Sequence, residues 1–225
     1  MAKDNKIKVI MHDSVSLDGS FVNFAYTQEL MTLHYQIAAG FGRSLRLFGS
    51  SMANVAIEMF GGFTPETPED RRKPAKPEGL AYWVVVDSRA ALINKLHYFR
   101  RSEYCRDMVV LVSEATSAGY LTYLREREYD YFVVGAERVD LGQALKLITE
   151  KYGVDTVLTD SGRELTNVML NQGLVDEVSL LICPMIVGVN AENLFSKVAS
   201  PRPLVNVREA MYPGGYIHVH GEVKK

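Results

Sequence analysis

From Ala81 onward the chain alternates short apolar runs with segments of helical period, and this alternation constrains the fold more than any other feature. Apolar runs at 82–86, 108–112, 131–134, 154–158 and 177–187 predict strands. Between them, 116–127, 141–151 and 162–171 predict helices; Leu141, Ala144, Leu145 and Ile148 fall at i, i+3, i+4 and i+7. Asp140 and Gln143 stand where a capping box needs them. Strands joined by helices of this length require crossover connections, hence a largely parallel sheet covered on both faces. The tail, 203–222, reads as two antiparallel strands around Tyr212-Pro213-Gly214-Gly215. Upstream, 6–12 and 45–48 read as strands, 29–39 as a helix, and Ser50 and Ser51 as caps of a helix running to about Met59. The expected architecture is one α/β domain over 1–225, interrupted by an irregular segment at 61–79 that carries four prolines. A loop this long is a functional lid or a disordered linker.

Composition removes several function classes. Apolar residues make up 47% and the net charge is only −2, so intrinsic disorder is excluded. The longest uncharged stretch, Val178 to Ala191, is 14 residues and contains Pro184, too short and too broken to span a bilayer. The first residues, Met1-Ala-Lys-Asp-Asn-Lys, are polar and show no secretory h-region. Two cysteines, Cys105 and Cys183, form neither a disulfide framework nor a zinc site. The 25 basic and 27 acidic residues nearly cancel, against a nucleic-acid-coating or membrane-surface protein. A soluble, cytoplasmic protein is expected.

Several short constellations sit at strand ends. Asp160-Ser161-Gly162-Arg163-Glu164 lies between a hydrophobic strand and a helix. A helix N-terminus there offers free N–H groups and a positive dipole end, and Gly162 admits a close ligand, as a pyrophosphate requires. The same residues read S-x-x-E from Ser161 to Glu164, a capping box, and capping accounts for them at least as well. Gly49-Ser50-Ser51 repeats the arrangement, and two such turns in one parallel sheet suit a dinucleotide. Neither is GxGxxG or GxxxxGK[ST]. Ser16-Leu17-Asp18-Gly19 follows the first strand and is otherwise an ordinary Asp-Gly turn. Asp87-Ser88-Arg89 ends another strand, where Ser88 and Arg89 suit a ribose phosphate or form a cap with a solvated arginine. Ser113 and Gly135 follow two further strands and join the cofactor candidates. The run Arg71, Arg72, Lys73 and Lys76 is either a solvated loop or a site for an anionic substrate. His218-x-His220 merely alternates along a strand, so no metal site is expected.

Taken in order, these signals resemble the riboflavin-pathway pyrimidine reductases. Ser16-Leu17-Asp18-Gly19 resembles that family's S-x-D-G motif. Val139-Asp140-Leu141, Tyr152-Gly153-Val154, the Asp160-Ser161-Gly162 turn, and Gly173-Leu174-Val175-Asp176-Glu177 running into Pro184 and Gly188 resemble its C-terminal half. The resemblance covers nearly the whole chain, and the Gly-Leu-Val-Asp-Glu strand entry is its most specific part. The chain departs from the family in carrying Asp160-Ser161-Gly162 for Glu-Gly-Gly and Ser20 for a common lysine. The D-x-P-x-L-T-x-R segment is replaced by 61–79.

The resemblance implies a dihydrofolate-reductase-like fold: a mostly parallel central sheet flanked by helices, with an antiparallel C-terminal hairpin. It also implies NADPH as hydride donor, a homodimer, and a ribosylaminopyrimidine 5′-phosphate whose ribose is reduced to ribityl. On this reading Gly49, Ser50, Ser51, Ser161, Gly162, Arg163 and Glu164 hold the pyrophosphate and nicotinamide, while Ser88 and Arg89 contact the 2′-phosphate. Asp18 and Asp160 are the catalytic acids, and Ser16, Gly19, Ser20, Arg71 and Arg72 hold the substrate. Two other readings stand beside it. One is a reductase of the same fold acting on another heteroaromatic substrate; the other is a non-catalytic nucleotide-binding relic. NADPH consumption with candidate substrates separates them.

Overall fold

The computed structural model describes residues 7–59, 62 and 64–225. Lys6, the expected start of the first strand, and Gly61, the expected start of the irregular segment, lie outside the described residues. The elements run β1 (Lys8–Ser16), α1 (Gln28–Ala39), β2 (Leu45–Gly49), α2 (Ser50–Met59), β3 (Ala81–Val86), α3 (Leu96–Arg100), β4 (Cys105–Val112) and α4 (Ala118–Glu126). They continue as β5 (Asp130–Val133), α5 (Leu141–Tyr152), β6 (Thr156–Thr159), α6 (Arg163–Asn171), β7 (Glu177–Cys183), β8 (Leu204–Met211) and β9 (Ile217–Val223). By internal contacts the chain divides into two compact units, 1–43 with 155–225, and 44–154.

The first unit orders its strands β6-β1-β7-β9-β8. β1 runs parallel to β6 and β7, whereas β9 runs antiparallel to β7 and β8, giving the expected C-terminal hairpin. Helix α1 starts where the Thr27 side chain accepts from the Leu30 N–H. Leu30 and Leu33 pack with Leu181, Cys183 and Tyr216, and Ala38 packs with Ile10 and Leu158.

Two boundaries here differ from the sequence reading. β1 does not end at His12 but continues to Ser16, because β7 pairs with it as far as Ser16↔Cys183. Asp13, Ser14 and Ser16, expected in a polar loop, are therefore buried strand residues. β7 stops at Cys183 instead of 187, since Pro184 has no N–H to continue a ladder. β7 also lies between β1 and β9, so its apolar composition is used inside the chain and is no sign of a partner.

The second unit orders β5-β4-β3-β2, all parallel. Its core joins Ala53, Val85, Leu92, Leu96, Phe99, Met108, Val110, Tyr120 and Leu124. Asp140 caps α5 as expected, accepting from the Gln143 N–H at 3.0 Å, and Gly153 closes it at φ 60°. α2 begins at Ser50 directly after Gly49, so Ser50 and Ser51 lie in its first turn and are not caps before it. α3, of five residues, is too short to show a period and was not expected. The described part of the irregular segment is fastened down, unlike a disordered linker. Lys76 Nζ donates to the carbonyls of Arg100, Ser102 and Cys105 at 2.6, 2.5 and 2.7 Å. No helix among the described residues is long and apolar enough to cross a membrane.

Candidate active site

The polar end of β1 organises the site, which lies wholly within the first unit. Met11 pairs with Thr159 of β6, so Asp160, one residue beyond, comes up beside His12 and Asp13. α1 brings His34 over the same place: its Nε2 lies 3.2 Å from Asp160 Oδ2 and its Nδ1 lies 2.9 Å from Ser14 Oγ. The His12 and His34 rings stack with centroids 4.3 Å apart. Asp13 is 5% exposed and faces the Asp160 charge, and its Oδ2 has no hydrogen-bond partner among the described residues. The Asp160 side chain remains 49% exposed, so this carboxyl alone in the cluster opens to solvent.

Burial drives the electrostatics, and the neighbours decide each sign. Burial and then the Asp160 charge push the Asp13 carboxyl well above its ordinary range. Desolvation by its packed neighbours acts the same way on Asp160, open on its outer side, but the charge and hydrogen bond of His34, with His12 and Asp13 adding to them, hold it below its ordinary range. Burial, then the His34 charge, lowers the His12 imidazole to about 3, so this ring is neutral. Its tautomer follows. His12 Nε2 faces the His34 carbonyl at 3.0 Å and must donate, leaving Nδ1 to accept from Ser179 Oγ at 2.8 Å. Ser179 Oγ in turn accepts from His218 Nε2 at 2.8 Å. Burial and the nearby acids also keep the Tyr26 phenol protonated.

The other expected residues are dispersed. In the first unit, Asp18 accepts from Ser16 Oγ at 2.5 Å and from the N–H groups of Val187 and Gly188 at 3.1 and 2.8 Å. These bonds, the Ser16 hydroxyl first, lower its carboxyl to about 2, which suits a turn clamp better than a proton donor. Ser16 Oγ accepts from the Ser20 N–H, and Ser20 Oγ donates to the Val22 carbonyl while accepting from the Glu192 N–H. Gly19 has φ 79° and no room for a Cβ, which would stand 2.6 Å from Asn193 Nδ2. The capping box at Ser161–Glu164 does not form. Gly162 is the N-cap of α6 without a side-chain bond, because Ser161 is buried and its hydroxyl meets Thr159 Oγ1. Arg163 lies 3.3 Å from Glu192, and Glu164 pairs with Lys197 at 2.5 Å.

In the second unit, Gly49, Ser50 and Ser51 mark the β2–α2 junction. Asp87 is buried and accepts from the N–H groups of Ala91 and Leu92 and from Tyr120 Oη. Beside it, Ser88 accepts from Thr116 through its carbonyl, and Arg89 is exposed with no carboxylate partner among the described residues. Ser113 and Gly135 are both accounted for by local structure. The Ser113 hydroxyl donates to the Glu137 carbonyl, and a Cβ on Gly135 would meet the Arg138 carbonyl at 2.3 Å. The basic run does not stand free: Arg71 pairs with Glu66 and Arg72 with Glu128, at 3.1 and 2.8 Å. These two cations, expected on a substrate phosphate, hold carboxylates of the protein itself, Glu66 in their own segment and Glu128 between α4 and β5.

Asp13 and His34 were missed from the sequence. Their signals were present: four polar residues, His12, Asp13, Ser14 and Ser16, in the continuation of an apolar strand, and a histidine in the buried stripe Leu30, Leu33, His34 and Ala38.

Comparison with known proteins places this geometry. The sequence profile of the RibD C-terminal domain matches residues 8–211. The chain belongs to the RibD C-terminal domain family. Among curated relatives, a 2,5-diamino-6-ribosylamino-4(3H)-pyrimidinone 5′-phosphate reductase of Methanothermobacter thermautotrophicus is 36% identical over 117 residues. That match spans about half of each protein, 52% of this chain and 52% of the relative. A pyrimidine reductase-like protein from Corynebacterium diphtheriae superposes with TM-score 0.72 at 17% identity, covering 98% of this chain and 93% of that one. The riboflavin biosynthesis reductase Rib7 of Saccharomyces cerevisiae gives 0.70 at 13% identity, covering 100% and 93%. At these identities the two structures speak for the fold, and they bear out the RibD-like, dihydrofolate-reductase-like architecture expected from the motifs.

Proposed function

We propose that this RibD C-terminal domain protein is an NADPH-dependent reductase of a ribosylaminopyrimidine 5′-phosphate, working as one catalytic domain over 1–225 in a cytoplasmic homodimer. The observation that carries the reading is the Asp160 carboxyl, half open to solvent at the end of β6 and backed by His34 and Asp13. Reduction of the open-chain sugar adds a hydride to carbon and a proton to the heteroatom. A positioned acid speeds such a proton transfer by about 10²–10⁴-fold. With its carboxyl held below the ordinary range, Asp160 would relay that proton from solvent to the heteroatom.

The residues present fit a dinucleotide. The α6 N-terminus has no side-chain cap, leaving first-turn N–H groups for an acceptor, and Gly162 keeps that approach narrow-sided. Within the second unit, Gly49, Ser50 and Ser51 offer first-turn N–H groups of the same kind at α2, and the exposed Arg89, with no carboxylate partner among the described residues, suits with Ser88 a 2′-phosphate. When bound, NADPH supplies the hydride. The turn from Ser16 to Ser20, clamped by Asp18, would present a fixed wall to the substrate. The homodimer draws support from β8, whose Val205, Val207 and Met211 are exposed at 40, 50 and 75%.

The test is NADPH oxidation, followed by absorbance, with the synthetic ribosylaminopyrimidine phosphate and with pterins. Turnover of the pyrimidine is expected, and Asp160→Asn should cost roughly 100-fold with folding intact. Turnover of pterins alone would favour the heteroaromatic reading. NADPH binding without any turnover would favour the relic.

A further inference from the structure

We propose that His34 is the positioning residue for Asp160, and that the Ser14 hydroxyl keeps the His34 ring turned for that task in either charge state of the imidazole. The proposal rests on the reductase reading for its use, while the contact itself is a property of the protein alone. Asp160 directly follows β6 and its side chain is half open to solvent, so an unaided carboxyl there has several staggered rotamers available. His34 Nε2 stands 3.2 Å from its Oδ2, and His34 Nδ1 stands 2.9 Å from Ser14 Oγ. An ionised carboxylate only accepts, so Nε2 must carry a proton toward it. A neutral His34 then accepts at Nδ1 from the Ser14 hydroxyl, and a cationic one donates to that hydroxyl instead. Both bonds survive the change, because a hydroxyl serves as donor or acceptor and only its O–H has to rotate.

The ring is fixed from its other sides as well. The His12 ring stacks on it with centroids 4.3 Å apart, and the Tyr35 ring stands perpendicular to it at 5.3 Å. His12 is itself held, by Ser179 Oγ at 2.8 Å and by the His34 carbonyl at 3.0 Å, and the second bond ties α1 to β1 at His34 itself. Burial keeps His12 neutral, so the stack brings no second cation. His12 and Ser14 lie two apart on β1 and so share one face of the strand, the face that meets His34. His34 is 8% exposed, so the fold and not solvent sets the direction of its Nε2–H bond. In the reduction, solvent supplies the proton and Asp160 passes it to the heteroatom. His34 neither gives nor takes it and never touches the substrate. What it supplies is place: a misplacement of about 1 Å can cost about 10²-fold in rate.

The test uses the difference between the two ring nitrogens. In His34→Gln the side-chain amide reaches the Nε2 position and still donates to Asp160; in His34→Asn it reaches only the Nδ1 position, beside Ser14. With the whole protein, NADPH and the synthetic ribosylaminopyrimidine phosphate, His34→Asn should lower kcat about 10–100-fold with KM little changed. His34→Gln should restore most of that loss. Ser14→Ala should cost about 2–10-fold in kcat, the worth of one hydrogen bond. The Asp160 carboxyl gives an arm without substrate. In ligand-free protein with ¹³C-labelled aspartate, assigned by its loss in Asp160→Asn, it should titrate below 3.8 in the wild type. It should move upward in His34→Asn and less in His34→Gln, which keeps a donor on the charged form. The other groups that face it, His12, Asp13 and Tyr26, are the same in all these proteins. Equal losses in the two His34 variants, or a loss carried by KM alone, overturn the proposal, since a packing role distinguishes neither nitrogen. So does an Asp160 titration that His34→Asn leaves unmoved. An unchanged rate in Ser14→Ala overturns the part given to Ser14. A wild type inactive on every substrate overturns the reductase reading, and the carboxyl titration then decides the positioning.

Discussion

Replacing Arg100 by methionine should cost this protein a large part of its stability, because Arg100 is the buried centre of the segment between β2 and β4. Its side chain is 3% exposed. It donates to Asp107 Oδ1 at 2.7 Å and to the carbonyls of Asp70, Arg127 and Glu128 at 2.9, 2.7 and 3.2 Å, with its guanidinium 3.6 Å from the Tyr129 ring centroid. Methionine preserves most of the volume, so the loss is mainly electrostatic. Breaking one side of a buried ion pair costs about 3–5 kcal/mol, since the other charge is left unpaired. For a chain of this size each kcal/mol lowers Tm by about 2–4 °C, so a drop of about 6–20 °C is expected. The pH dependence carries a sign. Burial already holds the Asp107 carboxyl above its ordinary range, with Arg100 acting against it. Without Arg100 that shift grows, and a raised carboxyl keeps its contribution below its unfolded pKa and loses it as pH rises. Thermal melts should therefore show a smaller deficit in mild acid than at neutral pH. Arg100→Met with Asp107→Leu should recover most of the loss. A single variant that loses under about 1 kcal/mol would refute the reasoning.

Three further outcomes follow from the site. Arg89→Ala should weaken NADPH by roughly 10-fold or more and leave NADH nearly unchanged, read by fluorescence titration; equal losses would remove Arg89 from 2′-phosphate recognition. The Asp18 carboxyl lies at about 2 against an ordinary 3.8, so its support of the Ser16–Ser20 turn is full above that ordinary value and disappears as pH falls towards 2. Asp18→Asn should flatten that acid limb of the melting curve, and an unchanged limb would count against the clamp. Sedimentation should give twice 25.2 kDa at micromolar concentration, and a monomer would end the homodimer reading.

How much of this was legible in the letters depends on which force fixed each element. The helices were legible where period and cap agree: Asp140 opens α5 as expected. Strand ends were less so, because pairing decides them. β1 runs four residues past His12 since β7 supplies backbone partners through Ser16↔Cys183, and no local preference announces a partner more than 160 positions away. Asp160 was legible from its place after an apolar strand. Asp18 was legible as a turn, but its three donors come from Ser16, Val187 and Gly188, which makes it a structural acceptor.

The polar tail of β1 shows why the site itself was the hardest part to read. A strand flanked by two parallel neighbours is ordinarily apolar throughout, and burying a polar group without a partner costs about 1–3 kcal/mol on mutational scales. Here His12, Asp13, Ser14 and Ser16 are all buried. Three of the four are satisfied: His12 by His34 and Ser179, Ser14 by His34, Ser16 by Asp18 and Ser20. Asp13 is the exception, with an oxygen that has no donor among the described residues and a carboxyl for its neighbour. A fold that only needed this strand would place a valine there. The aspartate costs stability as it stands, and it does so beside the half-open carboxyl of Asp160, where strongly shifted groups mark a functional site.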